Sequence, residues 1–256
     1  MWKQILAALG FGKAPAIRSA RPTQPASPEP VPVAAWVPPP QRFAADRRTV
    51  DGPYKDDSTN LIYHLLFCDR PTLFLTGESI KLTEPWKTLA KEPTDLNGLR
   101  ALADDQDAES RVRALAFNKL LQKGQSVEPK QLLGTIIEVA LPEGVDTLAA
   151  YADGNARYIN HTGKMAIVEG APGLFQSEIQ AVMKASKPVV AVIGPWDKTR
   201  LPAPTIGNIR LTFLVSDGLY FGEGPMEVMQ REPMAAPLID AATELLVKLT
   251  QAKSTS

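Results

Sequence analysis

The stretch TIIEVALPEGVDTLAAYADGNARYINHTGKMAIVE, residues 135–169, decides the fold class. Four runs rich in β-forming residues alternate here with turn sequences, and they are TIIEVAL (135–141), TLAAYA (147–152), ARYIN (156–160) and KMAIVE (164–169). The intervening PEGVD, DGN and HTG contain the Gly, Asp and Asn residues that tolerate the positive φ of tight turns. Strands joined by such short turns pair in antiparallel fashion, so the stretch predicts an antiparallel sheet.

The sequence that follows predicts a second hairpin and the helices that cover the sheet. NIRLTFLVSDGLYFGEG (208–224) again reads strand, Asp-Gly, strand. GLFQSEIQAVMKAS (173–186) and MAAPLIDAATELLVKLTQ (234–251) have helical apolar periodicity, whereas KPVVAVIGPW (187–196) predicts one more strand. Residues 134–251 are therefore expected to form a two-layer α+β domain, a mainly antiparallel sheet flanked by helices.

Residues 58–133 predict a helical subdomain that precedes the sheet. Helical patterns occur in DDSTNLIYHLLF (56–67), TEPWKTLAKE (83–92), TDLNGLRALADD (94–105) and DAESRVRALAFNKLLQKG (107–124). The first has Ser58 or Thr59 as its expected N-cap and presents Leu61, Ile62, Leu65 and Leu66 on one face. In the third, Thr94 or Asp95 is the expected N-cap. In the last, Glu109 and Arg113 have the i,i+4 spacing of an ion pair, and Gly124 is the expected C′ glycine.

The N-terminal 57 residues predict a tether. Trp2, Ile5, Leu6 and Leu9 fall at i, i+3, i+4 and i+7, so residues 1–13 form a short amphipathic segment. Nine prolines follow within residues 14–45, and residues 14–57 are predicted to form a disordered, semi-stiff linker. The tip is expected to bind an anionic membrane surface or a partner groove; a cleaved secretory signal and an inert end are the alternatives.

Composition excludes several classes of function. The chain has 28 basic and 28 acidic residues, and this balance gives no reason to expect a nucleic-acid partner. Residues 1–50 hold seven basic and two acidic residues, so contact with an anionic membrane surface is expected through residues 1–21. The single cysteine, Cys68, allows no intramolecular disulfide and is expected to be a buried small hydrophobe. With only two histidines, no metal site is expected, and nothing in the sequence indicates a cofactor.

Three residue types that enzymes use, Asp153, Arg157 and His161, crowd into AAYADGNARYINHTGKM (149–165). Asp153-Gly154 is a strong hairpin signal, and His161 lies in the turn sequence HTG, so structural roles are favoured for both. His161 nevertheless remains the best candidate for acid–base chemistry in the sheet region. Arg157 and Tyr158 point to opposite faces of a strand, and Arg157 is a candidate for binding an anionic ligand, with a solvated face as the alternative.

The loop GPWDKTRLPAP (194–204) adds Trp196 and Arg200 as candidate contacts for a protein partner. We therefore expect a non-catalytic interaction or regulatory domain that is tethered by its N-terminal tail and has a protein partner. The alternative is a hydrolase-type enzyme that uses His161 with Asp153 or Glu169. An enzyme should bring His161 within hydrogen-bond reach of a carboxylate in a pocket. The expected location is cytoplasmic, with peripheral membrane contact, and a secreted or periplasmic location is the alternative.

Overall fold

A computed structural model describes residues 51–75, 83–170, 173 and 175–253 of the 256-residue chain. The predicted amphipathic segment, with Trp2, Ile5, Leu6 and Leu9, lies outside the described residues, and so does the linker up to residue 50. The last part of the predicted linker, 51–57, is described. It packs on the body, because Tyr54 is buried and its hydroxyl lies 2.9 Å from the Thr147 hydroxyl.

The described elements follow one another in three groups. The first group is helical and comprises α1 Asp57–Leu65, α2 Pro71–Phe74, α3 Trp86–Ala90, α4 Leu96–Asp104 and α5 Ser110–Gln122. Four strands come next: β1 Leu132–Leu141, β2 Gly144–Tyr151, β3 Ala156–Ile159 and β4 Met165–Val168. The third group comprises α6 Gln176–Val192, β5 Asn208–Val215, β6 Gly218–Pro225, α7 Met226–Met229 and α8 Ala236–Lys253.

The six strands form one open sheet in the order β4-β3-β2-β1-β5-β6. Every neighbouring pair is antiparallel, so the predicted α+β class and antiparallel sheet are confirmed. Both predicted Asp-Gly turns are present, with φ of +86° at Gly154 and +136° at Gly218. Strand β1 is central because α6 carries the chain from the β4 edge back across the sheet to β5, which pairs with β1.

Helices cover both faces of this sheet. On one face, α6 and α8 pack through residues such as Val182 and Leu246 onto strand residues such as Leu211. The opposite face carries α1 to α5 and forms a second core that includes Ile136 and Leu115. The predicted two-layer arrangement thus describes the sheet with α6 and α8, and the N-terminal helices add a further layer.

The strand predicted over residues 187–196 is wrong, because α6 continues through Pro188 to Val192. The buried residues of α6 recur at helical spacing as far as Val190. Ser186 lies fully buried between them, and its hydroxyl lies 2.8 Å from that of Thr135 on the sheet. A short apolar run rich in valine fits a strand or a buried helix equally well, so its sequence alone does not separate the two.

Helix α1 differs from its prediction in its cap and in its buried face. The N-cap is Asp56, whose carboxylate accepts a hydrogen bond from the Thr59 amide. The buried side chains of α1 are mostly polar or aromatic: Thr59, Asn60, Tyr63 and His64. Leu61, Ile62 and Leu65 of the predicted apolar face are only half-buried, although Leu66 is fully buried. A periodic apolar pattern therefore misidentified the face that packs on the sheet, because that face meets polar strand side chains such as Glu138, whose carboxylate accepts a hydrogen bond from Tyr63.

The predicted i,i+4 pair in α5 does not form. Glu109 instead pairs with Arg111, and the Arg113 guanidinium donates a 2.9 Å hydrogen bond to the Ala103 carbonyl of α4. Arg113 is buried at the α4–α5 contact, so a tertiary partner displaces the local one. The predicted C′ glycine is confirmed, since Gly124 has a φ of +69°.

Candidate functional site

The best candidate site is a cavity of about 360 Å³ beside α1, on the side of the sheet that α1 to α5 cover. It lies between the segment 51–53, α1 with the residues that follow it, and the loop 200–203. His64, Arg70 and Arg200 contribute its basic side chains. The volume falls within the range of about 300–1,000 Å³ that small-molecule sites occupy.

Arg200 is held rigidly in this site although it comes from a loop. Its Nε–H donates to Oδ2 of Asp69 at 2.8 Å, and its Nη2 lies 2.8 Å from Nδ1 of His64. The guanidinium also lies 3.8 Å from the ring centroid of Phe67, a cation–π contact. Only 6% of the side chain is exposed, so it is fixed in position before any ligand arrives.

His64 is present as the neutral imidazole. Its Nε2 lies 2.6 Å from the Asp51 carbonyl and must donate to it, so Nδ1 accepts the hydrogen bond from Arg200. The pKa of His64 is lowered, chiefly because burial disfavours the charged form and also through repulsion by Arg200 and Arg70. His64 therefore orients Arg200 and ties the segment that begins at Asp51 to the cavity.

A buried carboxylate lies beneath the cavity. Tyr63, which lines the cavity, donates a 2.6 Å hydrogen bond from its hydroxyl to Oε1 of Glu138 on β1. Oε2 of Glu138 is buried without a hydrogen-bond partner and lies 3.8 Å from Nη1 of Arg210. Burial raises the pKa of Glu138. Arg210 in turn donates to Glu223 at 2.6 Å and 2.8 Å, so oppositely charged groups alternate across β1, β5 and β6.

His161 contacts the carboxylate of Asp146, which was not among its predicted partners. Its Nδ1 lies 3.2 Å from Oδ1 of Asp146, and the same oxygen accepts a 2.7 Å hydrogen bond from the His161 amide. Asp146 is buried, and its other oxygen accepts from the Tyr158 hydroxyl at 3.1 Å. A second cavity, of about 190 Å³, adjoins His161. Of the hydroxyls lining it, those of Thr59 and Thr162 donate to nearby carboxylate and amide oxygens.

The carboxylates proposed as partners of His161 have other contacts. Asp153 accepts the Ser110 amide at 2.7 Å, at the first residue of α5, and the Asn155 amide at 3.0 Å. Glu169 pairs with Arg157 and, at 3.2 Å, with Arg111.

The two other candidate contact residues are less accessible than expected. Arg157 is buried beside Arg111, and burial lowers its pKa to about 10. Trp196 is half-buried, with its ring 4.8 Å from that of Phe221 and its Nε1–H donating to the Thr199 carbonyl at 3.1 Å. Arg157 and Trp196 thus have mainly structural contacts, whereas Arg200 lines the larger cavity.

Metal and thiol chemistry find little support in the described part of the chain. Over these residues, no group of three or more His, Cys, Asp or Glu side chains is placed to hold a metal ion. Cys68 is buried as predicted, and burial raises the pKa of its thiol to about 12. Of the helices that the structure describes, none has the length and apolar character needed to cross a bilayer.

Sequence patterns identified Arg200 as a candidate contact residue but did not indicate His64, Glu138 and Tyr63 as its neighbours. One signal was available, since Glu138 interrupts the apolar run TIIEVAL of a strand that is buried on both faces. A carboxylate in such a strand requires buried donors from elsewhere in the chain. Comparison with protein-family models, curated proteins and solved structures found no match to this chain.

Proposed function

We propose that this chain is a non-catalytic interaction or regulatory domain, tethered through its amphipathic tip and proline-rich linker. The observation that carries the proposal is the fixed Arg200 beside an open cavity, a geometry suited to recognition. Among the described residues, the hydrogen-bonding groups around it position one another, and none presents an activated nucleophile to the cavity. Asp153, Glu169 and Arg157, which an enzyme or an exposed anion site would need, are occupied in structural contacts.

Affinity capture tests this proposal. Full-length protein and a truncated protein that begins at Thr49 are used as baits under the same conditions. Partners that the truncated protein retains but the Arg200→Gln variant does not retain bind at the cavity. Partners that the truncated protein no longer retains bind the tail. Arg231→Gln is the matched control, because Arg231 is exposed and outside the cavity. Failure of every bait to retain a protein above background would contradict the interaction function.

The tether is proposed to attach weakly and reversibly to an anionic membrane surface. Burying Trp2, Ile5, Leu6 and Leu9 is worth about 1.5–3 kcal/mol each at most, and ordering the segment opposes this gain. Leu6→Glu should therefore abolish association with anionic vesicles without changing the melting temperature of the body. Added salt should weaken the wild-type association, because it screens the basic residues of the tail. Wild-type protein that ignores such vesicles at low salt would exclude lipid as the target.

A hydrolase remains the second candidate, and one observation favours it. His161 lies 3.2 Å from the buried Asp146 and beside a cavity, which is the convergence expected of an acid–base pair. Asp146 takes the place of the predicted Asp153 or Glu169. The proposed binding function expects no turnover of activated esters or phosphoesters by the wild-type chain. Turnover that His161→Gln and Asp146→Asn both remove, in folded protein, would establish the enzyme instead.

A further inference from the structure

The cavity that Arg200 lines has the features of a site for a small anion. Its apolar walls come from Pro53 and the loop residues Leu201 and Pro202, while two guanidinium groups supply its positive charge. Such a combination of apolar surface with a few placed polar groups is typical of ligand sites.

Arg200 still has hydrogen-bonding capacity. Asp69 engages its Nε and His64 engages its Nη2, and within the described residues its Nη1 donates no hydrogen bond. The ring of Phe67 and these two partners fix the guanidinium plane. Ligand binding at Nη1 would therefore cost little conformational entropy in this side chain.

Arg70 supplies a second cation to this cavity. It lines the same cavity and is exposed, and in the part of the chain that the structure describes its side chain makes no hydrogen bond or ion pair. Arg70 and Arg200 both act electrostatically on His64, which places both charges near one imidazole. His64 itself stays neutral because its two nitrogens are committed to Asp51 and Arg200.

The negative groups nearby do not cancel this arrangement. Asp69 binds the Nε edge of Arg200 and leaves Nη1 available. Asp51 lines the cavity but is exposed, so water and salt screen its carboxylate. Its backbone carbonyl, not its carboxylate, makes the contact with His64.

We propose that this cavity binds a small oxyanion, a phosphate or carboxylate group, between the guanidinium of Arg70 and Nη1 of Arg200. Guanidinium groups suit such ligands because their planar N–H donors match the oxygens of both anions. An oxyanion site here is independent of whether the chain captures a protein partner.

Calorimetric titration of the full chain with inorganic phosphate and, separately, with succinate tests this site. Saturable binding of either anion at one site per chain is expected, and the better ligand identifies the class. Arg70→Gln should weaken that binding at least about tenfold without lowering the melting temperature, because charge-assisted hydrogen bonds are lost while no described contact is broken. Arg231→Gln, the exposed control, should bind as wild type does.

Two further variants sharpen the test. Asp51→Asn should tighten binding, because it removes a negative charge from the cavity and keeps the carbonyl contact with His64. Arg200→Lys should weaken binding, and if it fails to fold, the Arg70→Gln result decides. The proposal is overturned if neither anion binds saturably, or if Arg231→Gln weakens binding as much as Arg70→Gln.

Discussion

The Asp153→Asn substitution tests how the β2–β3 turn is joined to the helical layer. One carboxylate oxygen of Asp153 accepts the Ser110 amide at 2.7 Å, and the other accepts the Asn155 amide at 3.0 Å. In return, the Asp153 amide donates to the Ser110 hydroxyl at 3.0 Å. The turn residue therefore acts as the cap of α5, a helix 43 residues earlier in the chain.

The cost follows from these contacts. Asparagine has one acceptor oxygen in its side chain, so one of the two hydrogen bonds from backbone amides is lost, at a cost of about 0.5–1.5 kcal/mol. The negative charge at the helix N-terminus is also lost, at about 0.3–1 kcal/mol. Asn tolerates the turn geometry, so no backbone cost is added. The expected loss is about 0.8–2.5 kcal/mol, or roughly 2–10 °C in melting temperature for a domain of this size.

Chemical denaturation of wild type, Asp153→Asn, Ser110→Ala and the double variant measures this loss and the coupling between the two residues. Asp197→Asn is the control, because Asp197 is exposed and outside any helix. The two single losses should not add, since both variants disrupt the same reciprocal contact. Full additivity would show that the two hydrogen bonds act independently, and an Asp153→Asn protein as stable as wild type would refute the capping role. Loss of an activity from well-folded Asp153→Asn would instead assign the carboxylate to catalysis.

Three further predictions concern the body of the protein. Calorimetry should show one melting transition, because both helical layers pack on one sheet; two transitions dividing near Gly134 would make the helical and sheet parts independent domains. Cys68 should react with a thiol reagent only after denaturation, because it is buried and its pKa is raised to about 12; rapid labelling of native protein would contradict this burial. The free energy of unfolding should fall as the pH drops below about 6.5, since the pKa of His64 is lowered in the folded state and the unfolded chain takes up the proton first. Comparing the pH dependence of wild type and His64→Gln isolates this contribution, and identical slopes would show that it is absent.

The sequence predicted the parts of the fold that depend on local chemistry. The Asp-Gly turns at Gly154 and Gly218 need only residues that tolerate positive φ, and the structure has both turns. The N-cap Asp95 of α4 was among the predicted caps, and its carboxylate accepts the Gly98 amide at 2.9 Å. These features are encoded within a few residues, so a single sequence is enough to find them.

The candidate site depends on contacts between distant residues, which local patterns do not encode. Arg200 and His64 are 136 positions apart, and Tyr63 and Glu138 are 75 apart. The sequence also misjudged the buried face of α1, because the assignment assumed an apolar surface opposite it. Within the sequence of β1, the acidic residue Glu138 of TIIEVAL is the signal that indicates a polar region of the sheet.

A row of charged residues across the sheet is itself an argument for the location of the site. Glu138, Arg210 and Glu223 lie opposite one another on three adjacent strands, while Ile136 belongs to the apolar core of the same face. Buried charges such as Glu138 and Arg210 contribute little net stability, since well-packed apolar residues of similar volume often stabilise a core as well or better. The charged row begins beneath Tyr63, which lines the cavity with Arg200. Departures from an apolar core concentrate where a protein binds or reacts, so this row favours the Arg200 cavity, rather than the His161 turn, as the functional end of the molecule.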